Sequence, residues 1–274
     1  LRRWGVAPEK IARVGNHAVD GAFMESSARP EAGTPTDGIL IMPGSRGYEV
    51  QHLVPFFFTA ALAMRREDPA IPIAFGISPF TKLEALRAAV QAGGDPRFYA
   101  RRGTLIEESG KVFLASADGS TRFPVVRNAL AAAREARLVV TIPGTKVIEL
   151  AAIGKPVVAC TPINAPEIPA INGPLTYLDR IPLIGAAAKR AVVVAYARRF
   201  KYHTQPNIDA QAEIVHELHG TLTPGRVARV ALERASDSAW LARTSQALSD
   251  LYRDHIGAAT RMAAGLLALP TSAG

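Results

Sequence analysis

Residues 38–50 read GILIMPGSRGYEV. The apolar run Gly38-Ile39-Leu40-Ile41-Met42 stops at Pro43-Gly44, and Ser45, Arg46, a second glycine and Glu49 follow. An uninterrupted apolar run predicts a strand buried on both faces. The proline and glycine mark its end, and a helix is expected over Tyr48 to Arg66.

The pattern repeats outward from this stretch. Strands are expected at 72–76, 138–143 and 156–160. Helices are expected at Lys82 to Gln91, Val125 to Arg137 and 146–154, the last closed by Gly154. TLIEESGKVFLA (104–115) reads as a hairpin turning at Ser109-Gly110. The alanine-rich end from Ser238 reads as helical. Apolar strands alternating with helices predict an α/β fold with a Rossmann-like, doubly wound parallel sheet. Residues 25–37, rich in Pro, Gly, Ser and Thr, read as a linker or exposed loop.

The chain has 274 residues, enough for one large or two small domains. It opens on Leu rather than Met, and a truncated N-terminal domain is expected. No apolar run reaches the roughly 18 residues of a membrane span. The single cysteine, Cys160, rules out an internal disulfide and a cysteine-based metal site, and the cytoplasm is the expected compartment. A net charge of +8 favours anionic partners. Aromatic residues are only 7% and not interleaved with a basic cluster, which argues against nucleic acid.

Three constellations carry candidate chemistry. In a doubly wound sheet, ligands sit beyond the carboxyl ends of the strands, where helix N-termini attract phosphate. At the first corner Gly44 permits close backbone approach, Ser45 offers a hydroxyl or a cap, and Arg46 offers a fork suited to phosphate oxygens. An ordinary strand-to-helix turn with a solvated Arg46 is the alternative. TIPGTKVIELAAIGKPVVA (141–159) repeats the grammar, with Gly144 and Thr145 at a helix start and Glu149 one turn on. Glu149 is a candidate for sugar or ribose hydroxyls, or a helix-start carboxylate favoured by the macrodipole. In TQPNIDAQAEIVHELHG (204–220) a turn at Pro206-Asn207 is expected to open a helix, with Glu213 and Glu217 on one face. Asn207 caps that helix or meets a ligand, and Glu217 reads as solvated.

IMPGSRGYEVQHLVP, IPGTKVIELAAIGKPVVA and QPNIDAQAEIVHEL, in this order, together resemble the C-terminal donor-binding half of the lipid-A-disaccharide synthase family. The opening VGNHAVDG (14–21) resembles the stretch that closes that family's N-terminal domain. The resemblance spans roughly residues 5–235. It implies a GT-B glycosyltransferase whose UDP-diacylglucosamine donor meets an acylated, lipid-linked sugar acceptor. It divides the chain into a remnant of the acceptor domain (1–36), a nucleotide-sugar domain (37–235) and a C-terminal helical segment (236–274). It places Gly44, Ser45 and Arg46 by the donor diphosphate, and Gly144, Thr145 and Glu149 in the same cleft. Asn207 and Glu213 complete that site. The chain departs from the family pattern at Pro143, which stands in place of Ser, and at Lys146, which adds charge beside the diphosphate. His17 replaces a proline, residues 103–122 form an inserted hairpin, and the stretch 163–202 is longer than its counterpart.

Loss of UDP puts negative charge on the leaving group, and Arg46 is the candidate catalytic group that stabilises it. No Asp-x-Asp or clustered His/carboxylate pattern points to a metal, and no cofactor is expected. His203, His216 and His219 read as surface or packing residues. The basic, apolar stretch Ile181 to Lys201 suggests peripheral contact with the inner membrane face, or a core-packed connection with a solvated basic edge. The C-terminal helices pack on the absent domain or on a second copy. The alternatives to a transferase are a nucleotide-sugar epimerase, expected to carry extra acid/base residues in the cleft, and a non-catalytic nucleotide-sugar or lipid-binding relative.

Overall fold

The computed structural model describes residues 4–8, 11–166 and 199–268. Most of the stretch Ile181 to Lys201, and of the long connection around it, lies outside the described residues.

Helix α1 (His17–Ser26) precedes strand β1 (Ile39–Met42). A single π-helical turn (Glu49–Leu53) leads into α2 (Val54–Glu67), and β2 (Ile73–Gly76) and α3 (Leu83–Ala92) follow. The hairpin is β3 (Gly103–Glu108) and β4 (Lys111–Ser116), and β5 (Arg122–Val126) and α4 (Ala129–Glu135) come next. The chain continues through β6 (Leu138–Thr141), α5 (Thr145–Ala152) and β7 (Val157–Pro162). Beyond the undescribed stretch lie α6 (Gln205–Ala210), β8 (His216–Gly220), α7 (Pro224–Ser236), α8 (Ser238–Tyr252) and α9 (Ala258–Leu267).

Among the described residues, the strands join one sheet in the order β3-β4-β5-β2-β1-β6-β7-β8. The run from β5 to β8 is parallel, and β4 is antiparallel to both β3 and β5. The doubly wound, Rossmann-like sheet is therefore observed. Side chains alternate across it as a pleated strand requires. Ile39 and Ile41 enter the core under α2, α3 and α7, and Leu40 and Met42 enter the opposite core with residues of α1, α4, α5 and α8. Burial on both faces explains why β1, β2 and β6 are apolar without polar alternation. Phe56, Phe57 and Phe58 on α2 have no exposure and fill the first core.

Two expectations need correction. Val125 and Val126 belong to β5, not to a helix, because Phe123, Val125 and Val126 are buried in a strand paired with both β2 and β4. The helix starts only at Ala129, where Asn128 caps it by accepting from the Ala131 N–H. The helix expected after Pro206-Asn207 is only α6, which ends where Gln211 turns left-handed at φ 52°. HELHG is instead the edge strand β8, with Leu218 turned inward and Val215 buried just before it.

Gly38 sits where the chain enters β1, against the loop that leads into β2. A Cβ there would run into the Pro72 carbonyl oxygen and lie 2.8 Å from the Pro72 Cβ. That carbonyl already accepts from the Ile39 N–H at 2.8 Å. Gly38→Ala is expected to lower unfolding free energy by roughly 1–3 kcal/mol, as overpacking does, measured by urea denaturation. His52, on the π turn, accepts from the Asp95 N–H through Nδ1 at 3.0 Å and is 8% exposed. Burial holds its pKa, and those of His203 and His216, below the usual 6.5. The unfolded chain takes up these protons first as pH falls, so the contribution of these histidines to stability is level well above pH 6.5 and declines as pH falls through it. Urea midpoints at pH 7.5 and 5 read this decline, and His52→Gln is expected to make it shallower.

Candidate functional site

The sheet order reverses at β1, which has β2 on one side and β6 on the other. The chain therefore leaves β1 and β6 for helices on opposite faces, opening a crevice between their carboxyl ends. β1 and β6 pair in register from Ile39 with Leu138 to Met42 with Thr141. The buried Thr141 hydroxyl donates to the Met42 carbonyl at 2.8 Å. The corners Pro43-Gly44 and Pro143-Gly144 thus stand side by side. Both line a cleft of about 880 Å³, together with the loops after β2 and β5 and the end of α1.

Gly44, Ser45, Arg46, Gly144, Thr145, Lys146 and Glu149 all line this cleft. The two corners differ in state. At the first, Glu49 is only 2% exposed and accepts from the backbone N–H groups of Ser45 at 2.7 Å and Arg46 at 2.8 Å. Its other oxygen accepts from Arg46 Nη1 at 3.2 Å. The N–H groups expected to face phosphate already hold a carboxylate of the chain itself. Gly44 makes this possible. Its φ of 103° favours glycine, and a Cβ would press into the Glu49 carboxylate and Ile142 Cδ1. The negative charge of Glu49 raises the Arg46 pKa further. The Arg46 side chain nevertheless stays 74% exposed and open to a ligand.

The second corner is open. Gly144 is extended (φ 160°, ψ −173°), and no side chain caps α5. A Cβ at Gly144 would meet nothing within 4 Å, so the glycine leaves room rather than relieving strain. Lys146 Nζ contacts the Glu149 carboxylate and lies 3.6 Å from Glu25 of α1. This corner combines an uncapped helix start, a hydroxyl and an ammonium.

Two residues expected at the site lie elsewhere. Asn207 has no exposure. Its carbonyl accepts from the Ile214 and Val215 N–H groups, and its amide donates to the Val215 carbonyl and to Glu217. It has no hydrogen-bonding capacity left for a ligand, and it does not cap α6, whose N-cap is Thr204. Glu213 precedes β8 and pairs with His216 Nδ1 at 3.2 Å, away from the residues lining the cleft. Glu217 is not solvated: it accepts from the backbone N–H groups of His203 and Thr204, the Thr204 hydroxyl and Asn207.

The sequence reading missed Arg127, Glu31 and Phe80. Arg127 lines the cleft, and its Nη1 donates to the Ser78 and Thr81 carbonyls at 2.8 and 3.0 Å. Glu31 accepts from the Arg127 and Asn128 N–H groups at 2.9 and 2.6 Å. These contacts span 46 to 97 residues of sequence, so no local pattern announces them. Among the described residues, no group of three or more His, Cys, Asp or Glu is placed to hold a metal ion, and no helix is long and apolar enough to cross a membrane.

Comparison with known proteins bears on the fold. No family model and no curated protein matches the chain. Solved structures do. A protein from Listeria monocytogenes assigned as a UDP-N-acetylglucosamine 2-epimerase matches with a TM-score of 0.55 at 14% identity, over 97% of this chain and 55% of its own. MnaA of S. aureus, solved with UDP, matches with a TM-score of 0.55 at 13% identity, over 98% and 57%. The glycotransferase of kitacinnamycin has a TM-score of 0.42 at 17% identity, over 88% and 45%. The likeness to the first two is one of fold, a Rossmann-type half of the GT-B kind. The chain spans little more than half the length of either. The transferase function drawn from the sequence resemblance is corrected here: among the structures that superpose along the chain are an assigned 2-epimerase and MnaA, each with a TM-score of 0.55, and neither is a lipid-A-disaccharide synthase.

Losing Asn207 would strand several buried partners, including two backbone N–H groups and the Glu217 carboxylate. Asn207→Ala is expected to cost roughly 2–4 kcal/mol of stability, measured by chemical denaturation.

Proposed function

We propose that the cleft binds a UDP-sugar and that the chain is the nucleotide-binding half of a nucleotide-sugar enzyme, of the 2-epimerase kind rather than a transferase. The observation that carries this is the pairing of an uncapped helix start at Gly144-Thr145-Lys146 with an exposed Arg46 across one cleft. The diphosphate lies against the α5 N-terminus, where backbone N–H groups and the helix dipole favour negative charge. Lys146 and Arg46 supply full charges, and Thr145 a hydroxyl. Glu49 already fills the first corner, so Arg46 acts there through its guanidinium and not through its backbone. The UDP bound to the structural neighbour MnaA supports the nucleotide.

Inverting a carbon that bears hydrogen requires groups that take and return a proton. Glu25, Glu31, Glu49 and Glu149 line this cleft, which supports an epimerase over a module without chemistry. Glu31 and Glu49 hold backbone N–H groups. Glu25 and Glu149, both beside Lys146, are the carboxylates positioned for chemistry. Within this reading residues 37–235 carry most of the nucleotide-sugar site, Glu25 and Glu31 reach it from 1–36, and helices α1 and α8 pack into the same core as β1 and α5.

The test is the binding of UDP by isothermal titration at low salt. Lys146→Ala and Arg46→Ala are each expected to weaken binding about ten- to a hundredfold, as loss of a charge-assisted phosphate contact does. A wild-type chain with no measurable affinity for UDP at millimolar concentration overturns the reading.

A further inference from the structure

Phe80 is 93% exposed, although large aromatic rings are ordinarily buried. It stands on the loop after β2, at the rim of the cleft, where it also borders a second groove beside α3. The loop beneath it is rigidly held. Arg127 ties the Ser78 and Thr81 carbonyls together, the Thr81 N–H donates to the Ser78 carbonyl at 3.0 Å, and the Phe80 N–H donates to the Ser78 hydroxyl at 3.3 Å. A ring held out into water by a braced backbone is prepared to cover something.

Its distance from the anion-binding corner says what. Phe80 follows β2, the α5 N-terminus follows β6, and β1 alone lies between them. Two steps between neighbouring strands, at about 4.8 Å each, set the ends of β2 and β6, from which the two loops spring, roughly 10 Å apart. That is on the order of the reach from the diphosphate of a nucleotide, across its ribose, to its base. Phe80 has no hydrogen-bonding group, so it can offer only a flat apolar face. A planar base is the part of such a ligand that stacks on that face.

We propose that Phe80 is the platform on which the base of the bound nucleoside diphosphate stacks, with Arg127 as the positioning residue that fixes its loop. This rests on reading the cleft as a UDP-sugar site, and the experiment separates the two. Wild type, Phe80→Ala and Phe80→Trp are titrated with UDP and, separately, with inorganic pyrophosphate, which has no ring. Phe80→Ala is expected to weaken UDP roughly ten- to a hundredfold while leaving pyrophosphate unchanged, and Phe80→Trp to retain UDP. Unchanged UDP affinity in Phe80→Ala overturns the platform. So does a parallel loss of both ligands. If the wild-type chain binds neither UDP nor pyrophosphate, the nucleotide reading itself fails.

Discussion

The structure depends on the in-register parallel pairing of β1 with β6. Two segments about a hundred residues apart meet along four residue pairs, and their last pair is locked by the Thr141 hydroxyl on the Met42 carbonyl. A buried hydroxyl without a partner is costly, so this bond also disfavours any slip of one strand past the other. A shift of one residue would separate the two corners and turn Ile39, Ile41 and their neighbours toward the wrong core. The cleft exists because the register holds.

Within that frame the two corners, alike in sequence, are electrostatically unlike. The first carries its own anion. Glu49 takes the backbone N–H groups and part of the arginine, so the corner is close to neutral without a ligand. The second has an uncapped helix start and a lysine shared between two carboxylates. An incoming anion therefore meets free backbone N–H groups at α5, whereas those of Ser45 and Arg46 are already taken. The π turn that begins at Glu49 directs this carboxylate inward, and such turns often occur at functional sites.

Much of the fold was legible because burial on both faces leaves a simple mark, an apolar run closed by Pro-Gly. The runs that became β1 and β6 carry it, and the hairpin turn at Ser109-Gly110 reads equally directly. Legibility failed where tertiary contact overrode local pattern. Val125 and Val126 join an alanine-rich helical stretch in sequence, but two neighbouring strands claim them. HELHG looks helical by spacing, yet pairing with β7 makes it a strand. At the candidate site, the corner residues were visible as strand-to-helix punctuation. Asn207 was misread because polar residues in a turn resemble ligand-binding ones until their partners are seen. Arg127, Glu31 and Phe80 reach the cleft from distant loops, and their roles come from contacts that local sequence does not encode.

The hairpin at the β3 side of the sheet has a further effect. β3 is the outermost strand, and its last residues, Glu107 and Glu108, are ion-paired to Arg87 and Arg122. A second molecule adding its own β3 here would bring carboxylates near carboxylates and would disturb those ion pairs. Charge on a border strand is a common defence against edge-to-edge association. The hairpin therefore also protects the sheet on this side, discouraging the growth of ribbons between molecules.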